Sequence, residues 1–126
     1  MDVVPYAAHH RDGIAALCRD LGWPTYSDPA VVEQGCTAPG VSVCVACVDG
    51  EVIGFAQAMG DGVMQSFLSQ LGVAPAHRRR GVARALVEEV FVATETSRMD
   101  LLTDEAQDFY RSFAHREKSG FRIYPG

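Results

Sequence analysis

Lysine is all but missing from this chain: Lys118 stands alone among eleven lysine and arginine residues. Sixteen acidic residues outweigh them and leave a net charge of −5. The chain has no basic tail or stripe, which argues against general nucleic-acid binding. Nor are aromatic residues interleaved with its arginines, as on a surface that stacks single-stranded bases. No apolar run approaches the roughly 20 residues of a membrane span. The opening "MDVVPYAAHHRD" has no apolar block of signal-peptide length. A cytoplasmic protein without nucleic-acid or membrane partners is the expectation. Cysteines number four. Cys44 and Cys47 form a C-x-x-C, but no second Cys or His pair at ligand spacing accompanies it. "VSVCVACV" reads as a strand, in which residues three apart point to opposite faces. Buried free thiols and no metal site are therefore expected.

What is present is enough for one domain, residues 1–126, with its own core: 48 % of the 126 residues are apolar. "VVPY" reads as a short first strand. "HHRDGIAALCRDLGW" sets Ile14, Leu17, Cys18 and Leu21 at helical spacing, closed by Gly22. Asp28 caps a short helix with Pro29 at its first position, and Gly35 is expected to end it. Two β-rich runs, "VSVCVACV" and "EVIGFAQAM", flank Asp49-Gly50, a strong hairpin signal. After the turn Gly60–Gly62, "VMQSFLSQLGV" predicts a longer strand. Its alternation puts Phe67 and Leu71 on one face and Met64 and Leu68 on the other, so it is expected to be central. Val82, Ala85, Leu86, Glu89, Val90 and Ala93 predict an amphipathic helix ending near Ser97. "MDLLT" predicts a short strand. "DEAQDFYRSFAHRE" predicts a last helix with Ala106, Phe109, Tyr110 and Phe113 on its apolar side. "GFRIYPG" predicts a terminal strand. This order implies a single α/β domain with a mixed sheet flanked by helices.

One junction concentrates positive charge. In "VAPAHRRRGVARALVEEV", Arg78, Arg79 and Arg80 stand before Gly81, between a strand and a helix. The first N–H groups of a helix lack internal partners and sit at the positive end of its dipole, which makes an anion site. Three arginines add charge there, and arginine suits phosphate better than lysine does. Gly81 lets a phosphate approach the backbone, and Ala83 leaves the next turn unobstructed. The glycines and Lys-Ser/Thr of a P-loop are missing, and so is G-x-G-x-x-G. The junction reads as a different pyrophosphate cradle.

"RRRGVA", Arg78 to Ala83, resembles the Q/R-x-x-G-x-G/A motif of the GNAT superfamily of acyl-CoA-dependent N-acyltransferases. "LGVAPAHRRRGVARAL" resembles the family's strand, loop and helix in their usual order. "AQDFY", Ala106 to Tyr110, is similar to the family's A-x-x-F/L-Y, and Gly120-Phe121 is similar to the Gly-Phe that follows. The resemblance spans nearly the whole chain in element order, with motifs over about 50 residues. It implies a GNAT-like fold with a mixed, mostly antiparallel twisted sheet. It also implies acetyl-CoA as co-substrate and transfer of the acetyl group to a primary amine by direct attack in a ternary complex.

By the same resemblance, the pantetheine arm pairs with Leu71, Gly72 and Val73 on a splayed central strand. The pyrophosphate lies on the N–H groups of Arg79, Arg80, Gly81, Val82, Ala83 and Arg84, with Arg78 nearby. The Leu71 N–H polarises the thioester carbonyl. Tyr110 is the family's acid for the departing thiolate; its spacing alone better describes a packed aromatic, and the A-x-x-F-Y match carries the acid role. The base stays open between Asp61, Asp104, Glu105 and water, since Ser69 and Gln70 stand where relatives often carry a carboxylate. His77 reads as a loop residue.

The chain departs from the family pattern in three places. Tyr110 and Gly120 lie ten residues apart instead of about four. The strand beyond "FRIYPG" is expected to be lacking, leaving an edge that a second subunit could cover in a homodimer. Thr103 or Asp104 replaces an expected Asn. These departures keep a second reading open, a non-catalytic acyl-CoA-binding or regulatory module of the same fold. The amine acceptor, small molecule or peptide, is not named by the residues.

Overall fold

The computed structural model describes residues 1–126. Five strands form one sheet in chain order: β1 (Asp2–Pro5), β2 (Val41–Val48), β3 (Glu51–Gly60), β4 (Gln65–Val73) and β5 (Arg98–Asp100). The first three pairings are antiparallel and the last, β4 with β5, is parallel. Helices α1 (Arg11–Leu21) and α2 (Pro29–Cys36) cover one face; α3 (Val82–Thr94) and the short α4 (Gln107–Arg111) cover the other. This is the expected mixed, mostly antiparallel α/β domain. No helix is long and apolar enough to cross a membrane.

Two cores follow from the two faces. Ile14, Leu17, Cys18, Tyr26 and Val32 pack on Val43, Val45 and Phe55 beneath α1 and α2. Val82, Leu86, Val87 and Val90 of α3 pack on Cys44, Ala46, Ala56, Leu68 and Val73. Alternation along β2 thus sends Cys44 into the α3 core while Cys47 packs against the α1 core. The local signals act as the residues dictate. Gly22 closes α1 at φ 75°, and the Asp28 carboxylate accepts the Ala30 N–H at 2.9 Å. Asp49 and Gly50 turn the β2–β3 hairpin with φ of 50° and 79°.

Four expectations are corrected. First, β4 carries a bulge: Gln70 pairs with Gln57 and Leu68 with Ala58, so Ser69 is an extra, unpaired residue. The bulge inverts the alternation, and Leu68, Leu71 and Val73 all pack on the α3 core. Phe67 and Leu71 therefore do not share a face, and Met64 precedes the strand. Second, Gly35 does not end α2, which runs on to Cys36. Any Cβ there would overlap the Tyr26 hydroxyl, so this glycine admits a neighbour.

Third, α3 stops at Thr94 because Glu95 takes a left-handed φ of 55°, and β5 begins at Arg98 instead of Met99. Fourth, the last helix shrinks to Gln107–Arg111, and "GFRIYPG" forms no strand. A strand needs a ladder partner, and β5 offers only three residues, paired with β4. Phe121, Ile123 and Tyr124 are consequently 87 %, 89 % and 74 % exposed.

Candidate functional site

The site begins where β5 ends. β4 and β5 pair only over Gln65–Phe67 and Arg98–Asp100, while β4 continues to Val73. On its other side β4 stays paired with β3 to Val73, opposite Gly54. The Ala74 N–H donates to the Ile53 carbonyl at 2.8 Å. Antiparallel ladders alternate, so Gly72 and Ala74 face β3, while Leu71 and Val73 turn their N–H and C=O groups the other way. No strand lies on that side. The Val73 carbonyl meets a side chain instead: Arg78 Nε donates to it at 3.3 Å. At the same level of β4, Leu21 and Trp23 of the α1–α2 corner close on Gly72 from the opposite face.

The junction loop follows directly. After one helical turn at Pro75–His77, Arg78 is extended, Arg79 takes φ 62° and Gly81 takes φ 78°. Glycine adopts the second conformation freely, whereas arginine does so at a cost, a pattern that clusters at functional sites. The first helical bond of α3 runs from the Ala85 N–H to the Gly81 carbonyl, 3.1 Å. The N–H groups of Val82, Ala83 and Arg84 thus have no helical partner, and no side chain caps them. Arg78, Arg79, Arg80 and Gly81 are exposed and Val82 is buried. The arrangement is an open row of donors at the positive end of a 13-residue helix, within an arginine cluster.

Tyr110 sits on α4 and packs against the core that contains Leu68 and Val73 and is flanked by Leu71. Its ring meets Phe109 edge-on, with centroids 4.9 Å apart. Burial pushes the phenol above its ordinary value of 10, so it keeps its proton at neutral pH. The structure thus brings Val73 and Arg78 together beside Leu71, and packs Tyr110 on the core that Leu71 flanks.

The candidate bases fare differently. Asp61 lies before β4, at the opposite end of a nine-residue strand. One of its oxygens accepts the N–H groups of Val63, Met64 and Gln65, and these bonds, the Met64 one foremost, lower its pKa. It closes a turn and is not brought to the site. Asp104 and Glu105 are exposed at the entry to α4. Ser69 donates its hydroxyl to the Gln57 carbonyl at 3.1 Å. A depression of about 210 Å³ beside Ser42 and Asp61 and another of about 280 Å³ beside Phe67 and Asp100 lie at the far end of β4 from Val73.

Sequence reasoning missed two features here. The Ser69 bulge leaves no compositional trace, because it is a matter of register. The side chain of Arg84 points away from the loop, to Ser112 and Phe113. Only the helical phase of α3 could have suggested that direction.

A family model described as an acetyltransferase (GNAT) domain matches residues 39–114. No curated protein sequence matches the chain significantly. Among solved structures the chain resembles aminoglycoside N-acetyltransferase AAC(6')-Iy in complex with CoA. Identity is 23 %, the TM-score is 0.79, and coverage is 99 % of this chain and 98 % of that one. It also resembles a ribosomal-protein-alanine N-acetyltransferase from Brucella melitensis biovar Abortus 2308, at 17 % identity and a TM-score of 0.81, over 99 % and 98 % of the two chains. An acetyltransferase from Trypanosoma brucei superposes at 16 % identity and a TM-score of 0.80, over 98 % and 99 %. At these identities the likeness is one of fold.

Proposed function

Because the chain belongs to the GNAT acetyltransferase family, we propose that it moves an acetyl group from acetyl-CoA to a primary amine by direct attack in a ternary complex. The observation that carries this reading is the open edge of β4 at Leu71 and Val73 beside the uncapped start of α3. Leu71, Gly72 and Val73 hold the pantetheine arm as an added strand would be held. The N–H groups of Arg79 to Arg84 hold the pyrophosphate, and the guanidinium groups of Arg78, Arg79 and Arg80 offset its charge. The acceptor nitrogen attacks the thioester carbon while the Leu71 N–H stabilises charge on the carbonyl oxygen. A C–N bond forms, the C–S bond breaks, and Tyr110 passes its phenolic proton to the departing sulfur. The nitrogen gives up its proton to water, or to Asp104 or Glu105 at the α4 entry.

Two structural neighbours are named as N-acetyltransferases, one for aminoglycosides and one for a ribosomal-protein alanine. Their acceptors share an amine, and that class is what we carry over. Purified protein with acetyl-CoA and a broad amine panel should release free CoA. Replacing Tyr110 by Phe should lower kcat by about a hundredfold, with the acetyl-CoA KM little changed. Silence across the panel would refute the catalytic reading.

One observation favours a second reading, a non-catalytic acyl-CoA-binding module: β4 carries no Asp or Glu from Gln65 to Val73. Turnover separates the two, since that module binds CoA tightly in calorimetry yet releases no CoA from acetyl-CoA with any amine.

A further inference from the structure

Helix α4 spans only Gln107–Arg111, too short to hold its own shape. Nearly all hydrogen bonds of residues 103–117 are local. Thr103 accepts from the Ala106 N–H, Gln107 donates to the Asp104 carbonyl, and Ser112 donates to the Phe109 carbonyl. Arg111 pairs with Asp108 and Glu117. One side chain crosses to this segment from elsewhere, that of Arg84 on the first turn of α3. Its Nη2 donates to the Ser112 carbonyl at 3.0 Å and to the Ser112 hydroxyl at 2.7 Å. Its guanidinium carbon lies 4.0 Å from the centroid of Phe113. Glu88, one turn along α3, accepts from Nη1 at 3.1 Å and orients the fork.

The other attachment of α4 is apolar: Phe109, Tyr110 and Phe113 lie on the α3 core. Apolar contact is non-directional and lets a short helix slide or roll. A planar guanidinium with three acceptors and a ring beneath it does fix direction. We propose that Arg84 is a positioning residue: its fork on Ser112 and Phe113 sets where Tyr110 stands relative to the open edge of β4. The inference rests on the reading of Tyr110 as the acid. It adds a link between the two half-sites. The Arg84 backbone N–H belongs to the donor row of α3, and its side chain belongs to the mount of the acid. A bare surface ion pair with Glu88 would be worth little at 41 % and 57 % side-chain exposure. The Ser112 and Phe113 contacts give the arginine its second role.

The test uses Arg84→Lys, which keeps the charge and the backbone but loses the fork, and Ser112→Ala, which removes one acceptor. Amide exchange of residues 107–113 and steady-state kinetics are read for each, alone and combined with Tyr110→Phe. Arg84→Lys should speed exchange in α4 by about tenfold and leave α1 and the sheet unchanged. It should lower kcat about tenfold while the acetyl-CoA KM stays within about twofold. Ser112→Ala should show the same split, at about threefold in kcat. In the Tyr110→Phe background, Arg84→Lys should cost less than about twofold further. If Tyr110→Phe lowers kcat and Arg84→Lys does not, the positioning role is overturned and the acid stands. If Tyr110→Phe itself leaves kcat unchanged, the acid falls and the positioning role falls with it. Unchanged exchange in α4 would overturn the mount on its own.

Discussion

Gly81→Ala tests the cradle with little collateral damage. Gly81 adopts φ 78° and ψ 7°, and a Cβ built there meets nothing within 4 Å. The substitution thus adds no clash with the protein. It adds only the cost of holding an L-residue in the left-handed region, about 1–2 kcal/mol. For a domain of this size that is a fall in Tm of roughly 4–8 °C. The backbone can relieve the strain by swinging φ negative, which turns the N–H row of the loop away from a common point. Losing one or two hydrogen bonds to a charged group would weaken CoA binding by about 2–4 kcal/mol, or thirtyfold and more. Gly62→Ala supplies the control. Gly62 has φ 74°, equally open surroundings, and a place in the turn at the far end of β4. The two variants should lose similar Tm in differential scanning calorimetry, but only Gly81→Ala should raise the Kd for CoA in titration calorimetry. Equal Kd values for both variants and the parent would refute the assignment of this loop to the pyrophosphate.

Gly35→Ala should destabilise the fold by about 2–3 kcal/mol, read by urea unfolding. The new methyl overlaps the Tyr26 hydroxyl, which is buried and donates to Gln57 at 2.6 Å, so neither partner can retreat. Stability should also fall above about pH 9. Burial raises the Cys18 and Cys44 thiols to about 11 and Cys36 to about 12. The unfolded chain releases these protons near pH 9 and the native one holds them, so stability is complete below that pH and lost through 11–12. An alkaline unfolding profile flat from pH 8 to about 11 would refute this. Asp61→Ala should lower Tm, since three backbone donors lose their acceptor, and leave kcat untouched; a large drop in kcat would restore Asp61 as a base.

The legible parts of this fold were those written in local chemistry. Asp28 before Pro29, Gly22 after Leu21 and Asp49-Gly50 between apolar runs each state a backbone requirement in residue type, and each is met. The same holds for Arg78–Gly81, where the loop and the helix start are legible in the residues, although the left-handed φ of Gly81 is not. What escaped depended on partners distant in sequence. Gly35 looked like a helix stop because its use lies in Tyr26. "GFRIYPG" has the composition of a strand but no ladder to join. The direction of the Arg84 side chain escaped because its partners lie 28 residues on, in a segment whose helix is too short to announce its position.

The bulge at Ser69 has a consequence for how this strand tolerates change. β4 consists of two half-strands of opposite parity: the even-numbered residues Ser66 and Leu68 face the α3 core before Ser69, and the odd-numbered Leu71 and Val73 face it after. Deleting Ser69 would regularise the ladder without exchanging a single core residue. Deleting Leu68 or Gln70 would leave the wrong side chain at the seam. A single-residue deletion scan along β4 should therefore show one permissive notch. That notch falls two residues before Leu71, so shortening the strand there would retune the geometry of the open edge while the core survives.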